Sequence, residues 1–117
     1  MIVRIAEIQV DRSQLEEYLK QARTVGAESV SKEPGVIAIF PMVEKRNPEQ
    51  IRIVEIYKNE EAYKAHLQTP HFLKYKTSTL SMVKKLGNLC KIRNFSQSPF
   101  GGFIFEESDG NFPSGRN

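Results

Sequence analysis

The chain has no tryptophan, one cysteine and only two histidines in 117 residues. Cys90 stands alone, so no disulfide can form within the chain, which fits a reducing compartment. No apolar run approaches the roughly 20 residues that a membrane-spanning helix needs. The amino terminus meets a charge at Arg4 and shows no secretory signal pattern. These absences point to a cytoplasmic protein without membrane association. A strong excess of one charge is missing too: seventeen Lys and Arg face fourteen Asp and Glu, a formal charge of +3. No stripe of Lys and Arg with interleaved aromatics appears, so nucleic acid is not an expected partner. The acidic groups Glu106, Glu107 and Asp109 lie in the tail against Arg116 alone, which leaves residues 1–95 mildly basic. Such a body suits a plain solvated surface, or a ligand that is anionic or phenolate-like.

The length fits one domain with a modest core, and a hydrophobic share of 39% beside 26% charged residues is that of a globular protein. Ile2 to Val10 alternates as a strand, with Ile2, Ala6, Ile8 and Val10 on one face and Arg4 as a polar intruder among them. Ser13-Gln14-Leu15-Glu16 has the form of a capping box. Leu15, Tyr18, Leu19, Ala22, Val25, Ser29 and Val30 then recur at helical spacing, with Gly26 in their midst, until Glu33-Pro34-Gly35 ends the helix. Val36 to Glu44 reads as a second strand, with Val36, Ala38, Phe40 and Met42 on one side. Its Pro41 suggests an edge or a bulge nearby. After a polar loop, Ile51 to Tyr57 is a third strand, placing Glu55 and Tyr57 on one face. Asn59 caps a short helix that carries Glu60 and Glu61 in its first turn. Thr69-Pro70 restarts the helix, and an apolar face of Phe72, Leu73, Leu80, Val83 and Leu86 predicts that it runs to Gly87. Leu89 to Phe95 is a last strand.

The resulting order, β-α-β-β-α-β with the second helix broken, is a ferredoxin-like α+β arrangement: a four-stranded antiparallel sheet with helices on one face. Both sheet faces carry apolar residues. The uncovered face therefore predicts a homodimer packed sheet on sheet, with a ligand cavity between sheet and helices or within the dimer. Residues 1–95 make this domain. Residues 96–117 form an extension in which Phe103-Ile104-Phe105 is apolar enough to dock on a partner subunit, and the last residues are expected to be disordered.

Glu33-Pro34-Gly35 before a strand, Glu55-Ile56-Tyr57 closing the third strand, Glu61-Ala62, and His66-Leu67-Gln68-Thr69-Pro70-His71-Phe72 resemble the antibiotic biosynthesis monooxygenase family, also called quinol monooxygenase-like. The resemblance spans roughly residues 1–95 and is most specific in the His-x-x-Thr-Pro-His-Phe run. It implies a dimeric α+β barrel that oxygenates phenolic or quinol substrates without metal or flavin. Its relatives include an isomerase and haem-degrading proteins; the latter use an Asn, a Trp and a His together, and this chain has Tyr57 where many members have Trp.

Oxygenation without a cofactor needs a substrate anion able to reduce dioxygen, so the protein must take a proton, stabilise the anion and offer an apolar pocket. His71, second residue of the helix from Pro70, is placed at the positive end of the helix dipole, where a neutral imidazole can act as base. His66 is the alternative base, or its orienting partner. Either ring could instead be a packed or capping side chain. Tyr57 is a candidate for hydrogen bonding a substrate hydroxyl, or for plain packing. Glu55, if buried, requires a partner such as Arg4 or Arg52. Phe40, Met42, Phe72 and Tyr63 are candidate pocket residues, and Arg4 a candidate phenolate stabiliser. Metal binding by the two histidines is not expected, because the helix break removes i, i+4 geometry and spacing offers no third ligand. Three functions stay open on one scaffold: monooxygenase, isomerase of a small hydroxy-carbonyl compound, and non-catalytic ligand-binding or stress-response module.

Overall fold

In the computed structural model, which describes residues 1–97 and 103–107 with side chains to Lys84, the Ile- and Val-rich start is strand β1 (Ile2–Val10). Ile2, Ala6, Ile8 and Val10 are buried on one face, as alternation requires. Asp11, not Ser13, opens the helical segment. Its carboxylate accepts from the Ser13 amide at 3.0 Å and caps a 3-10 turn at Arg12–Gln14. Helix α1 (Leu15–Lys32) continues from that turn, and Gln14 makes no side-chain cap. The acceptor that satisfies the free amides thus sits two residues earlier than the capping-box pattern suggests.

Tyr18, Ala22, Val25 and Ser29 form the buried stripe of α1, whereas Val30 is exposed. At Gly26 an added Cβ would lie 2.8 Å from the Ile39 carbonyl oxygen. The missing side chain is what lets α1 lie against the backbone of strand β2 (Val36–Val43). Strand β3 (Gln50–Tyr57) pairs with both β2 and β1. β2 is an edge strand, as Pro41 suggested, but its irregularity falls between Val36 and Ala38. That bulge reverses the alternation expected for β2. Val36 and Ile39 lie opposite Tyr57 and Glu55 on the helix-covered face, while Phe40 and Met42 lie opposite Val54 and Arg52 on the other.

Helix α2 (Glu60–His66) is capped by Asn59, whose side chain accepts from the Ala62 amide at 2.8 Å. Helix α3 begins at Pro70 behind the cap Thr69, as expected, but it ends at Thr79 rather than Gly87. A 3-10 turn at Leu80–Met82 leads into strand β4 (Val83–Gln97), six residues earlier than the expected strand. Leu80 is 69% exposed, so the apolar face read across Leu80, Val83 and Leu86 is not a helix face. β1 is nine residues long, and its hydrogen-bonding edge takes up Val83 to Asn88 opposite Val10 to Ala6. Strand pairing therefore wins over helical periodicity there.

The sheet is antiparallel in the order β2-β3-β1-β4-β5, where β5 is Phe103–Glu107. The first four strands are the ferredoxin-like sheet. β5 adds part of the carboxy-terminal extension to its edge, pairing with β4 from Ile92 to Gln97 with a register shift between Arg93 and Ser96. The expected disorder of the last residues concerns positions outside the described ones. Helix α1 packs Tyr18 and Ala22 on Ala6, Ile8, Val10, Ile51 and Ile53, and a second cluster joins Ile2, Val36 and Tyr57 beneath Ala62 and Tyr63 of α2. Among the described residues no helix is long and apolar enough to cross a membrane.

Candidate active site

Three chain segments end at one corner of the helix-covered face. α1 stops at Glu33, whose amide still bonds the Ser29 carbonyl while its own backbone is already extended. β3 stops at Tyr57, and Gly35 sits so close to α2 that an added Cβ would lie 2.5 Å from the Ala62 Cβ. α2 stops at His66. The Thr69 hydroxyl donates to the His66 carbonyl at 2.8 Å and accepts from the Phe72 amide at 3.3 Å, so a single side chain joins α2 to α3. This junction turns His66 and His71 toward the same point.

That point is Glu33. Its Oε2 lies 3.0 Å from His66 Nδ1 and 2.5 Å from His71 Nε2. The three side chains are only 5–12% exposed. Burial alone would raise the Glu33 carboxyl, but the bonds from His71 and His66 outweigh it and hold the group below the usual carboxylate range. A ring that donates to Glu33 keeps its lone pair on the far nitrogen, Nε2 of His66 or Nδ1 of His71. Orientation of an imidazole by a carboxylate is the arrangement that fits it to take a proton.

Aromatic rings surround the pair. The His66 ring centroid lies 5.5 Å from Tyr57, 4.9 Å from Phe72 and 6.4 Å from His71. Tyr57 is fully buried, stands edge-on to Tyr63 at 5.2 Å, and donates its hydroxyl to Glu55 Oε1 at 2.8 Å. Glu55 Oε1 also takes Arg4 Nη1 at 2.6 Å, and the Arg4 guanidinium lies 4.7 Å from the Tyr63 ring centroid. Burial works to lower the Arg4 guanidinium, and Glu55 with the neighbouring tyrosines more than offsets it. The polar intruder of β1 is thus paired as a buried charge must be. Arg52, the other candidate partner, pairs with Glu7 across the opposite face at 3.1 Å.

Farther along, Phe72 approaches Tyr75 at 6.1 Å, and the Tyr75 and Tyr18 hydroxyls bond each other. Burial pushes both of these phenols upward. The structure therefore gathers seven of the sequence candidates, Arg4, Glu55, Tyr57, Tyr63, His66, His71 and Phe72, in one layer between sheet and helices. It does not bring Phe40 and Met42 to them: both lie on the other face of the sheet, 46% and 43% exposed. Phe40 instead borders a groove of about 610 Å³ on the flank of α1 and β2, away from the histidines, lined also by Leu19, Arg23, Val30 and Ile39.

Glu33 was missed as a site residue, although its motif was singled out as a helix end. A carboxylate at a helix carboxy terminus opposes the dipole there and signals a partner elsewhere in the fold. Its presence also removes the ground for expecting no metal. Glu33, His66 and His71 place one donor atom each within 4.8 Å of one another.

The model of the family described as antibiotic biosynthesis monooxygenase matches residues 1–78. No curated protein matches the chain. A Bacteroides thetaiotaomicron protein, named as a candidate antibiotic biosynthesis monooxygenase, is similar at 42% identity over 75% of this chain and 84% of its own, with a TM-score of 0.72. A candidate monooxygenase from Lactobacillus acidophilus is 27% identical over 77% of this chain, which spans 44% of that one, with a TM-score of 0.71. A third, from Deinococcus radiodurans and also named as a candidate of this kind, shares the fold at 14% identity, covering 87% of this chain and 100% of its own with a TM-score of 0.75. A family model that matches two thirds of the chain agrees with the motif run His66 to Phe72 and with the sheet order: the chain belongs to the antibiotic biosynthesis monooxygenase family.

Proposed function

We propose that the protein is a monooxygenase of small quinols or related phenols, working as a homodimer, in which the Glu33-linked histidine pair takes the phenolic proton. The observation that carries this reading is the buried contact of Glu33 Oε2 with both imidazoles beside the Tyr57 and Phe72 rings. A quinol reduces dioxygen far more readily as its anion, so a base in an apolar, ring-lined site is the main contribution the chain must make. The substrate supplies all four electrons: hydroquinone and dioxygen give hydroxyquinone and water, with one oxygen atom on the ring and the other in the water. Nε2 of His66 or Nδ1 of His71 accepts the proton and Glu33 holds that ring in place, while Arg4 and Tyr57, both bonded to Glu55, line the same layer. The family membership and the neighbours' names support the reaction class.

The far face of the sheet supports the dimer. Phe40 and Met42 are exposed there, and Arg52 Nε is buried without a hydrogen-bond partner among the described residues. A second copy would cover both. Oxygen uptake with a naphthohydroquinone panel tests the chemistry. Turnover should need oxygen and fall by about a hundredfold or more when His66 and His71 are both replaced by glutamine. Undiminished turnover in that variant, or none across the panel, would sink the proposal. Sedimentation of a monomer at micromolar concentration would remove the dimer from it.

A further inference from the structure

We propose that Glu33, His66 and His71 form a binding site for a divalent cation of the first transition row. The three donors come from separate places, the end of α1, the end of α2 and the start of α3, and their side chains are nearly buried. Two imidazoles and one carboxylate are a complete protein ligand set for such an ion, with remaining positions left for water or substrate. Metal–ligand bonds of about 2.0–2.2 Å place neighbouring donors about 3.0–3.6 Å apart. Glu33 and His66 are already there at 3.0 Å, and Glu33 and His71 must open from 2.5 Å. The two ring nitrogens, within 4.8 Å of each other, close by about 1–2 Å at most. Side-chain rotation supplies movements of that size without moving a helix.

The donor set chooses the ion. Imidazole suits zinc, cobalt, nickel and iron, whereas magnesium and calcium take oxygen ligands. Binding also changes which nitrogen carries the proton. Without a cation, His66 Nδ1 and His71 Nε2 face the Glu33 carboxylate at hydrogen-bond distance. With one, those same atoms must offer lone pairs, and each ring carries its proton on the opposite nitrogen. The cation and the proposed base therefore compete for one pair of rings.

Cobalt(II) titration of the full chain, first freed of metal with a chelator, is the test. The expected result is visible d–d absorption that saturates at one equivalent per chain, is displaced by zinc and is unaffected by magnesium or calcium. Glu33→Gln and His71→Gln should each weaken binding by about tenfold or more, with the melting profile of each variant in chelator confirming that it folds. Ring-nitrogen NMR on the unaltered protein gives a second reading: zinc should shift the signals of His66 Nδ1 and His71 Nε2. Absent cobalt bands, binding that survives both substitutions, or unmoved ring nitrogens would overturn the site. Binding is read on the ion and the rings, so a protein that oxidises no quinol can still pass, and one that does can still fail.

Discussion

Replacing Glu55 by alanine would leave Arg4 as a largely buried cation without the carboxylate that now sits 2.6 Å from its Nη1. The same change takes the acceptor from the buried Tyr57 hydroxyl, 2.8 Å away. Arg4 and Glu55 side chains are 13% and 12% exposed, so water screens the pair little. Removing one partner of such a buried pair costs about 3–5 kcal/mol. The stranded Tyr57 hydroxyl adds about 1–3 kcal/mol if no water reaches it. The contact of the guanidinium with the Tyr63 ring is present before and after the change and does not enter the difference. The expected net effect of Glu55→Ala is a loss of about 3–8 kcal/mol, the lower end applying if water reaches the Tyr57 hydroxyl, a large share of the 5–15 kcal/mol typical of a domain, and a fall in Tm of at least about 10 °C. Removing both charges is a different matter: Arg4→Met with Glu55→Leu should come within about 3 kcal/mol of the parent, since an apolar pair needs no compensation for desolvation and only the Tyr57 hydroxyl is left without its acceptor. Urea denaturation of the parent, Arg4→Met, Glu55→Leu and the double variant closes the cycle, with Glu55→Ala measured beside it. The reasoning is refuted if Glu55→Ala costs less than about 1 kcal/mol, or if the double variant is no more stable than that single one.

Gly35→Ala should destabilise by about 1–3 kcal/mol, because the new methyl meets the Ala62 Cβ at 2.5 Å and must push α2 aside. The same displacement carries His66 away from Glu33, so the ring-nitrogen NMR signals should move in parallel with the melting temperature; no change in either would show that α2 is not pinned there. Burial raises the Tyr18 phenol well above its ordinary range and raises the Tyr75 phenol too, against the bond it receives from Tyr18. Their contribution is fully present below the unfolded-state value of about 10 and is lost as pH rises past it, by about 1.4 kcal/mol per pH unit for each phenol. Urea midpoints between about pH 9 and pH 11 should therefore fall, and Tyr18→Phe should fall less steeply by the share of one phenol. Phenolate absorption that grows before unfolding, accounting for these two side chains, would contradict the burial argument.

Local signals were legible where the chemistry is local. Asn59 and Thr69-Pro70 read as helix starts because a cap needs only an oxygen and an amide within three residues, and both caps are found. Arg4 read as an intruder on an apolar strand face and Glu55, if buried, as needing a partner such as Arg4 or Arg52; Arg4 stands directly across from it in the register. The end of α3 did not read correctly. Leu80, Val83 and Leu86 fit a helical period, and only the demand of β1 for a second neighbour turns that stretch into strand. The bulge between Val36 and Ala38 was likewise invisible to alternation, and it decides that Phe40 and Met42 face away from the histidines.

From the amino-acid order alone came the ferredoxin-like element sequence, the broken second helix, and the two histidines as the residues to watch. Each depends on neighbours a few positions apart, whose periods and caps are written locally. Which charge meets those histidines was decided only by the tertiary structure. Glu33 lies at the far end of α1, and it reaches His66 and His71 because Gly35 allows α2 to close against it and because Thr69 bends α3 back toward the same corner. Contacts over such separations depend on how helices pack on a sheet, a three-dimensional fit that no spacing in the chain encodes.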